Sequence, residues 1–159
     1  MRRFILGLGS NKGNSETILH SAIEELRVVL RNMRAASFYK TKPMHIESQP
    51  LFINTAVIGE FGEPPSVLLE RIHEIEQRFG RDRANEIRWG QRSLDIDILL
   101  SGDLILRENN LHIPHPRLCE RRFALEPLLE LDEDAVDPVL GEPLRFICRR
   151  LPDQGVEKL

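Results

Sequence analysis

Apolar residues along this chain recur alternately with the period of a strand and the period of a helix. Phe4–Leu8 is a short apolar run closed by Gly9 and reads as a buried strand. Residues 9–13, Gly-Ser-Asn-Lys-Gly, form a turn, because Gly and Asn tolerate positive φ. From Ser15 to about Met33 the period becomes helical. Ile18, Leu19, Ala22, Ile23, Leu26 and Leu30 make one stripe, and Ser15 is the expected N-cap. Arg34–Thr41 then reads as a strand, and Lys42–Leu51, with two prolines and no period, as a loop. Phe52–Phe61 alternates again, with Phe52, Asn54, Ala56 and Ile58 on one face and Ile53, Thr55 and Val57 on the other. Asn54 stands among apolar neighbours. Either it is buried and needs hydrogen-bond partners, or it marks an edge or bulge.

The prolines after Gly62 are placed to start a helix over Ser66–Phe79, with Leu68, Ile72, Ile75 and Phe79 on one stripe and Gly80 as its stop. Arg81–Ile87 is polar and aperiodic. It leads into Arg88–Leu100, RWGQRSLDIDILL, whose second half alternates Leu94, Ile96, Ile98 and Leu100 with Ser93, Asp95, Asp97 and Leu99. Leu104–Leu106 and Leu111–Ile113 are expected to form a hairpin. Pro114–Arg117 is rigid loop, and Phe123–Leu131 is helical with Pro127 interrupting or restarting it. Residues 132–140 are an acidic loop, Leu144–Leu151 is a short amphipathic helix, and the last residues are expected to fray. The order of the first elements matches β-α-β-β-α-β. It predicts an α+β, ferredoxin-like fold with a central, mostly antiparallel sheet flanked by helices, extended by a hairpin and C-terminal helices.

Composition narrows this little. At 159 residues the chain suits one domain, 1–159, with room for a sizeable core. A net charge of −3 supplies no basic field for nucleic acid. No apolar run reaches membrane length, and Phe4–Leu8 is too short for a signal peptide, so a cytoplasmic protein is expected. Cys119 and Cys148 make no disulfide framework. No extra apolar stripe calls for a partner subunit, and a monomer is the expectation.

Charge placement is more informative. Arginines cluster at 71, 78, 81, 83, 88 and 92, with Arg117, Arg121 and Arg122 further on. A guanidinium donates in a planar fork that suits phosphate. On a strand, Asp95 and Asp97 share a face with Cα atoms roughly 6.5–7 Å apart, close enough for one metal site. Magnesium takes one or two carboxylates and completes its shell with phosphate oxygens and water, so the pair suits it better than zinc, which favours His and Cys. Arg81, Arg83, Arg92 and Arg121 would neutralise a phosphate chain, and Trp89 offers a ring for a flat group. His115, held between prolines, can act as a fixed donor. The glycines at 7, 9 and 13 are spaced G-x-G-x-x-x-G with no G-K-[ST] following, which argues against a Rossmann or P-loop site.

Taken together, R-W-G-x-R-S-L-D-I-D-I at Arg88–Ile98, L-G-S-N at Leu8–Asn11, S-F-Y-K-T at Ser37–Thr41, Q-P-x-F-x-N at Gln49–Asn54, P-H-P-R at Pro114–Arg117 and R-x-F at Arg121–Phe123 resemble the 6-hydroxymethyl-7,8-dihydropterin pyrophosphokinase family over nearly the whole chain. The resemblance implies transfer of pyrophosphate from ATP to the pterin's hydroxymethyl group, releasing AMP, in folate biosynthesis. It implies two Mg2+ ions on Asp95 and Asp97, with Arg81 and Arg92 as the leading phosphate-binding residues. Arg83, His115, Arg117 and Arg121 would assist on the ATP side, with Glu76, Arg88, Trp89, Ile98 and His112 lining the nucleotide. Asn54 would read the pterin edge, Phe52 and Phe123 would stack on it, Thr41 and Met44 would add contacts, and Asp95 would approach it. Loops 42–51 and 81–91 would close over ATP.

Four departures from the family pattern bear on affinity. Lys42 stands where many relatives have proline, and Phe52 replaces a common tyrosine. His112 replaces a small hydroxyl residue, and 84–87 lacks a basic residue. The competing readings are an RNA-binding ferredoxin-like module and another metal-dependent phosphoryl or nucleotidyl transferase. Sparse aromatics and the negative charge weigh against the first.

Overall fold

The computed structural model describes residues 1–41, 51–80 and 93–159. The first strand, β1 (Arg2–Ser10), pairs antiparallel with β4 (Phe52–Phe61) on one side and β5 (Asp95–Leu100) on the other. Two short strands, β2 (Arg31–Ala35) and β3 (Tyr39–Thr41), share the far side of β4, and β10 (Glu157–Lys158) pairs with β3. The path β10-β3-β4-β1-β5, with the helices α1 (Ser15–Val29) and α2 (Pro65–Arg78) as crossovers, is the expected ferredoxin-like arrangement.

Period-two burial splits the core between the two faces of the sheet. Phe4, Leu6, Leu8, Val57, Ile96 and Ile98 pack on the α1 and α2 stripe of Leu19, Leu26, Leu68, Ile72 and Ile75. Ile5, Ala56, Ile58 and Leu99 pack on Leu125 and Leu128 of α3 (Arg122–Leu131) and on Leu144 and Ile147 of α4 (Leu144–Arg150). Each such side chain stabilises the fold by about 1.5–3 kcal/mol relative to exposure. A bulge between Ile5 and Leu6 breaks the alternation at the end of β5, so Leu99 and Leu100 both join the α3 side.

Several boundaries differ from the periodicity reading, each for a local reason. Asn14, not Ser15, caps α1, its Oδ1 accepting the Thr17 N–H at 3.2 Å. The helix stops at Val29, because Leu30 is extended, and Asn32, at φ 52°, sits in a register shift of β2 between Arg31 and Arg34. The expected strand 34–41 is two strands that meet different halves of β4. The hairpin pairs β6 (Leu106–Glu108), not 104–106, with β7 (Leu111–Ile113). Pro127 lies inside a continuous α3. The acidic loop contains β8 (Val136–Asp137), paired with β9 (Glu142–Pro143).

The tail is held in place. Arg122 donates to the carbonyls of Leu151 at 2.6 Å and Pro152 at 2.8 Å, and the Leu159 N–H donates to Phe38 O at 2.9 Å.

Candidate active site

The candidate residues lie on the α3-side face of the sheet, beyond Ala56 and Leu99. Register places Asn54, Gly9 and Asp95 side by side across β4, β1 and β5, and Ala56, Gly7 and Asp97 in the next row. With strands about 4.8 Å apart, Asn54 and Asp95 flank a strip roughly 10 Å wide whose floor is glycine. A Cβ added at Gly9 would come within 2.9 Å of Asn54 Oδ1, and one at Gly7 within 3.1 Å of Leu99. The two glycines let the Asn54 amide and the Leu99 side chain lie against the sheet. Their role was invisible to a motif search, but a glycine inside a strand is itself a signal of close approach.

Asn54 is buried on an interior strand, which settles the choice between partnered and edge positions. Its Nδ2 donates to Thr41 Oγ1 at 3.0 Å, and Thr41 is also buried. The amide is thereby oriented, with Oδ1 over Gly9. Phe52 shares this face, two residues earlier, and is half-buried. Phe123 sits in the first turn of α3, half-buried, with the Arg121 guanidinium 5.4 Å from its ring centroid.

Asp95 and Asp97 are both partly exposed on this face, while Ile96 and Ile98 between and beyond them face α1 and α2. His115 reaches the pair through the backbone, its N–H donating to Leu99 O at 2.9 Å, and its Nε2 lies 4.0 Å from Asp97 Oδ2. The Arg117 N–H donates to His115 Nδ1 at 3.1 Å. A neutral imidazole that accepts at Nδ1 carries its proton on Nε2, so the donor points towards Asp97. Burial, then the Arg121 charge, lowers the His115 pKa to about 4, and His115 is neutral near pH 7.

Among the described residues the buried Arg121 Nε finds no hydrogen-bond partner, although two carboxylates lie near. Burial pulls its pKa down, opposed by Asp97 and Asp95. Such a donor is costly unless an acceptor arrives.

The remaining candidates are more dispersed. Arg117 pairs with Glu120 at 3.3 Å, and His112 is exposed on β7. Glu76 is buried on α2 and approaches β5 from the opposite side. Met44, Arg81, Arg83, Arg88, Trp89 and Arg92 lie outside the described residues. Among the described residues no three His, Cys, Asp or Glu side chains converge on one point, as a protein-caged metal would require. Two hard carboxylates on one face fit an ion that takes its remaining ligands from phosphate and water, as magnesium does.

Fold and site together describe a ferredoxin-like domain with a partnered amide on one side of Gly9 and a carboxylate pair on the other. The family model described as 7,8-dihydro-6-hydroxymethylpterin-pyrophosphokinase matches residues 5–133. The 2-amino-4-hydroxy-6-hydroxymethyldihydropteridine pyrophosphokinase of Aquifex aeolicus is 35% identical over 145 residues, covering 91% of this chain and 89% of that protein. Its namesake in Bacillus subtilis is 40% identical over 128 residues, covering 79% and 75%.

The chain belongs to the 7,8-dihydro-6-hydroxymethylpterin-pyrophosphokinase family. In longer relatives it spans a smaller share: 20% of the Pneumocystis carinii folic acid synthesis protein fol1, at 33% identity over 96% of this chain. The crystal structure of Plasmodium falciparum HPPK-DHPS with pteroate shares the fold, with a TM-score of 0.75 at 15% identity over 94% of this chain and 42% of that one.

Proposed function

We propose that this chain transfers the pyrophosphoryl group of ATP to the hydroxymethyl oxygen of 6-hydroxymethyl-7,8-dihydropterin, releasing AMP, with Asp95 and Asp97 as ligands of magnesium. The observation that carries the reading is the strip between Asn54 and Asp95 over Gly9. It puts a heterocycle-reading amide on one side and a metal-binding pair on the other, in a chain of this family.

The work of the protein's own groups follows from their chemistry. Asn54, oriented by Thr41, reads donors and acceptors on the pterin edge, and Phe52 and Phe123 supply aromatic surface for the ring. When bound, magnesium neutralises phosphate charge and stabilises the departing oxygen. Asp95 and Asp97 would hold it. His115, neutral and donating from Nε2, and Arg121, whose Nε has no partner among the described residues, offer donors to phosphate oxygens without moving protons. Ile98 has the same strand parity as Ile96, whose N–H turns to the outer edge of β5, so Ile98 presents backbone groups where a nucleotide base can lie. The family resemblance assigns Arg81, Arg83, Arg88, Trp89 and Arg92 to ATP and Met44 to the pterin.

Titration with a non-hydrolysable ATP analogue tests the metal arm. Binding is expected to require magnesium and to weaken in Asp95→Asn and Asp97→Asn. Tight binding that is indifferent to both would overturn it.

A further inference from the structure

Glu76 is 1% exposed. A carboxylate so deeply placed is costly unless hydrogen-bonded. Its Oε2 accepts the backbone N–H of Ile96 at 2.9 Å, a contact strengthened by the charge of the acceptor.

Ile96 is the residue between Asp95 and Asp97, and β5 is the outer strand on that side of the sheet. On an outer strand, alternate residues turn their N–H away from the neighbour, where nothing in the sheet satisfies it. Glu76 supplies the missing acceptor. The Ile96 side chain is itself buried against α1 and α2. Ile96 is therefore held twice, by its side chain and by its N–H. Because successive side chains on a strand point oppositely, fixing Ile96 fixes the two aspartates on the other face. Glu76 approaches from the α2 side, opposite the aspartates, which separates its role from that of a third ligand on the same ion.

We infer that Glu76 is a positioning residue that locks the outer strand so that Asp95 and Asp97 present their carboxylates together. The inference rests on the metal role assigned above to those two residues. It also specifies what Glu76 contributes: a hydrogen-bond acceptor, rather than a charge near the phosphates.

Three variants and two readouts test it. Glu76→Gln keeps an acceptor and removes the charge, Glu76→Ala removes both, and Glu76→Leu keeps the bulk without an acceptor. The first readout is amide hydrogen exchange at Ile96 in the protein without ligands. Exchange is expected to stay slow in the Gln variant and to accelerate about tenfold or more in Ala and Leu, as expected when one such bond is lost. The second is the magnesium concentration for half-maximal binding of the ATP analogue. It is expected to rise roughly 10-fold or more in Ala and Leu, the usual cost of losing an outer partner of a metal ligand, and to stay near the wild-type value in Gln. Amide exchange across β4, away from the clamp, should be unchanged in all three.

Gln behaving like Ala in both readouts would show that charge, not the hydrogen bond, matters, and would overturn the inference. So would an unaltered Ile96 exchange rate in Ala, or faster exchange across β4 in parallel with Ile96, the mark of general destabilisation. If wild-type protein released no AMP, the functional reading would fail, while the Ile96 exchange pattern would still report on the clamp.

Discussion

Gly9 is the residue on which the shape of the site depends most. A methyl group there would meet Asn54 Oδ1 at 2.9 Å. Gly9→Ala is expected to turn the amide and weaken pterin binding by about 2–10-fold, the worth of one hydrogen bond, with little change in affinity for the ATP analogue. Separate calorimetric titrations of the two ligands check this. His115 gives a second prediction. Its pKa falls from 6.5 to about 4 on folding. The unfolded chain therefore binds more protons than the folded one between those values, and stability drains away as pH falls through that window. In the metal-free protein, imidazole NMR is expected to show a neutral ring with its proton on Nε2 down to about pH 4. His115→Gln is expected to flatten the stability slope across the same window. Asp95 and Asp97 were legible in the sequence because a period of two needs only neighbours in the chain. Gly7 and Gly9 were not, because their role depends on the register of three strands. The same holds for Thr41, whose hydroxyl meets Asn54 only across β3 and β4.

At the scale of elements, Glu130 on α3 holds β3 in place. It accepts from Tyr39 Oη at 2.7 Å and from the Ser37 N–H at 2.8 Å and hydroxyl at 3.2 Å, with Lys158 of β10 at 3.7 Å. Burial pushes its pKa up, but the bonds from Tyr39 and Ser37 outweigh this and hold it below the usual carboxylate range. The carboxylate therefore favours the folded state above its unfolded pKa, and that contribution is lost as pH falls through the lowered value. Glu130→Ala orphans the Tyr39 and Ser37 donors and is expected to cost about 1–3 kcal/mol in denaturant unfolding. Because β3 carries Thr41, pterin affinity is expected to fall more than ATP affinity. Little of this clamp could be read in advance. Residues 34–41 have the composition of one strand, and it is the separate pairing of β2 and β3 with different parts of β4 that divides them. The long helices and strands were readable because their apolar stripes are set locally. The C-terminal residues were not, since they are ordered by Arg122 and by the edge of β3, not by any pattern of their own.

For the whole molecule, the sheet divides the labour. One face is sealed by α1 and α2. The other packs on α3 and α4 through Ile5, Ala56, Ile58 and Leu99, and the row of Asn54, Gly9 and Asp95 beyond them carries the candidate site. The architecture was legible because element order and right-handed crossovers leave few ways to close an α+β sheet. Asp95→Asn and Asp97→Asn are expected to lower turnover by roughly 10²–10³-fold or more while leaving the thermal midpoint close to wild type, since neither side chain is fully buried. The most direct test of the central claim is the nucleotide product. Incubated with ATP, magnesium and 6-hydroxymethyl-7,8-dihydropterin, the protein is expected to release one AMP for each pterin diphosphate formed, resolved by anion-exchange chromatography. Release of ADP, or no nucleotide product from folded protein, would contradict the account.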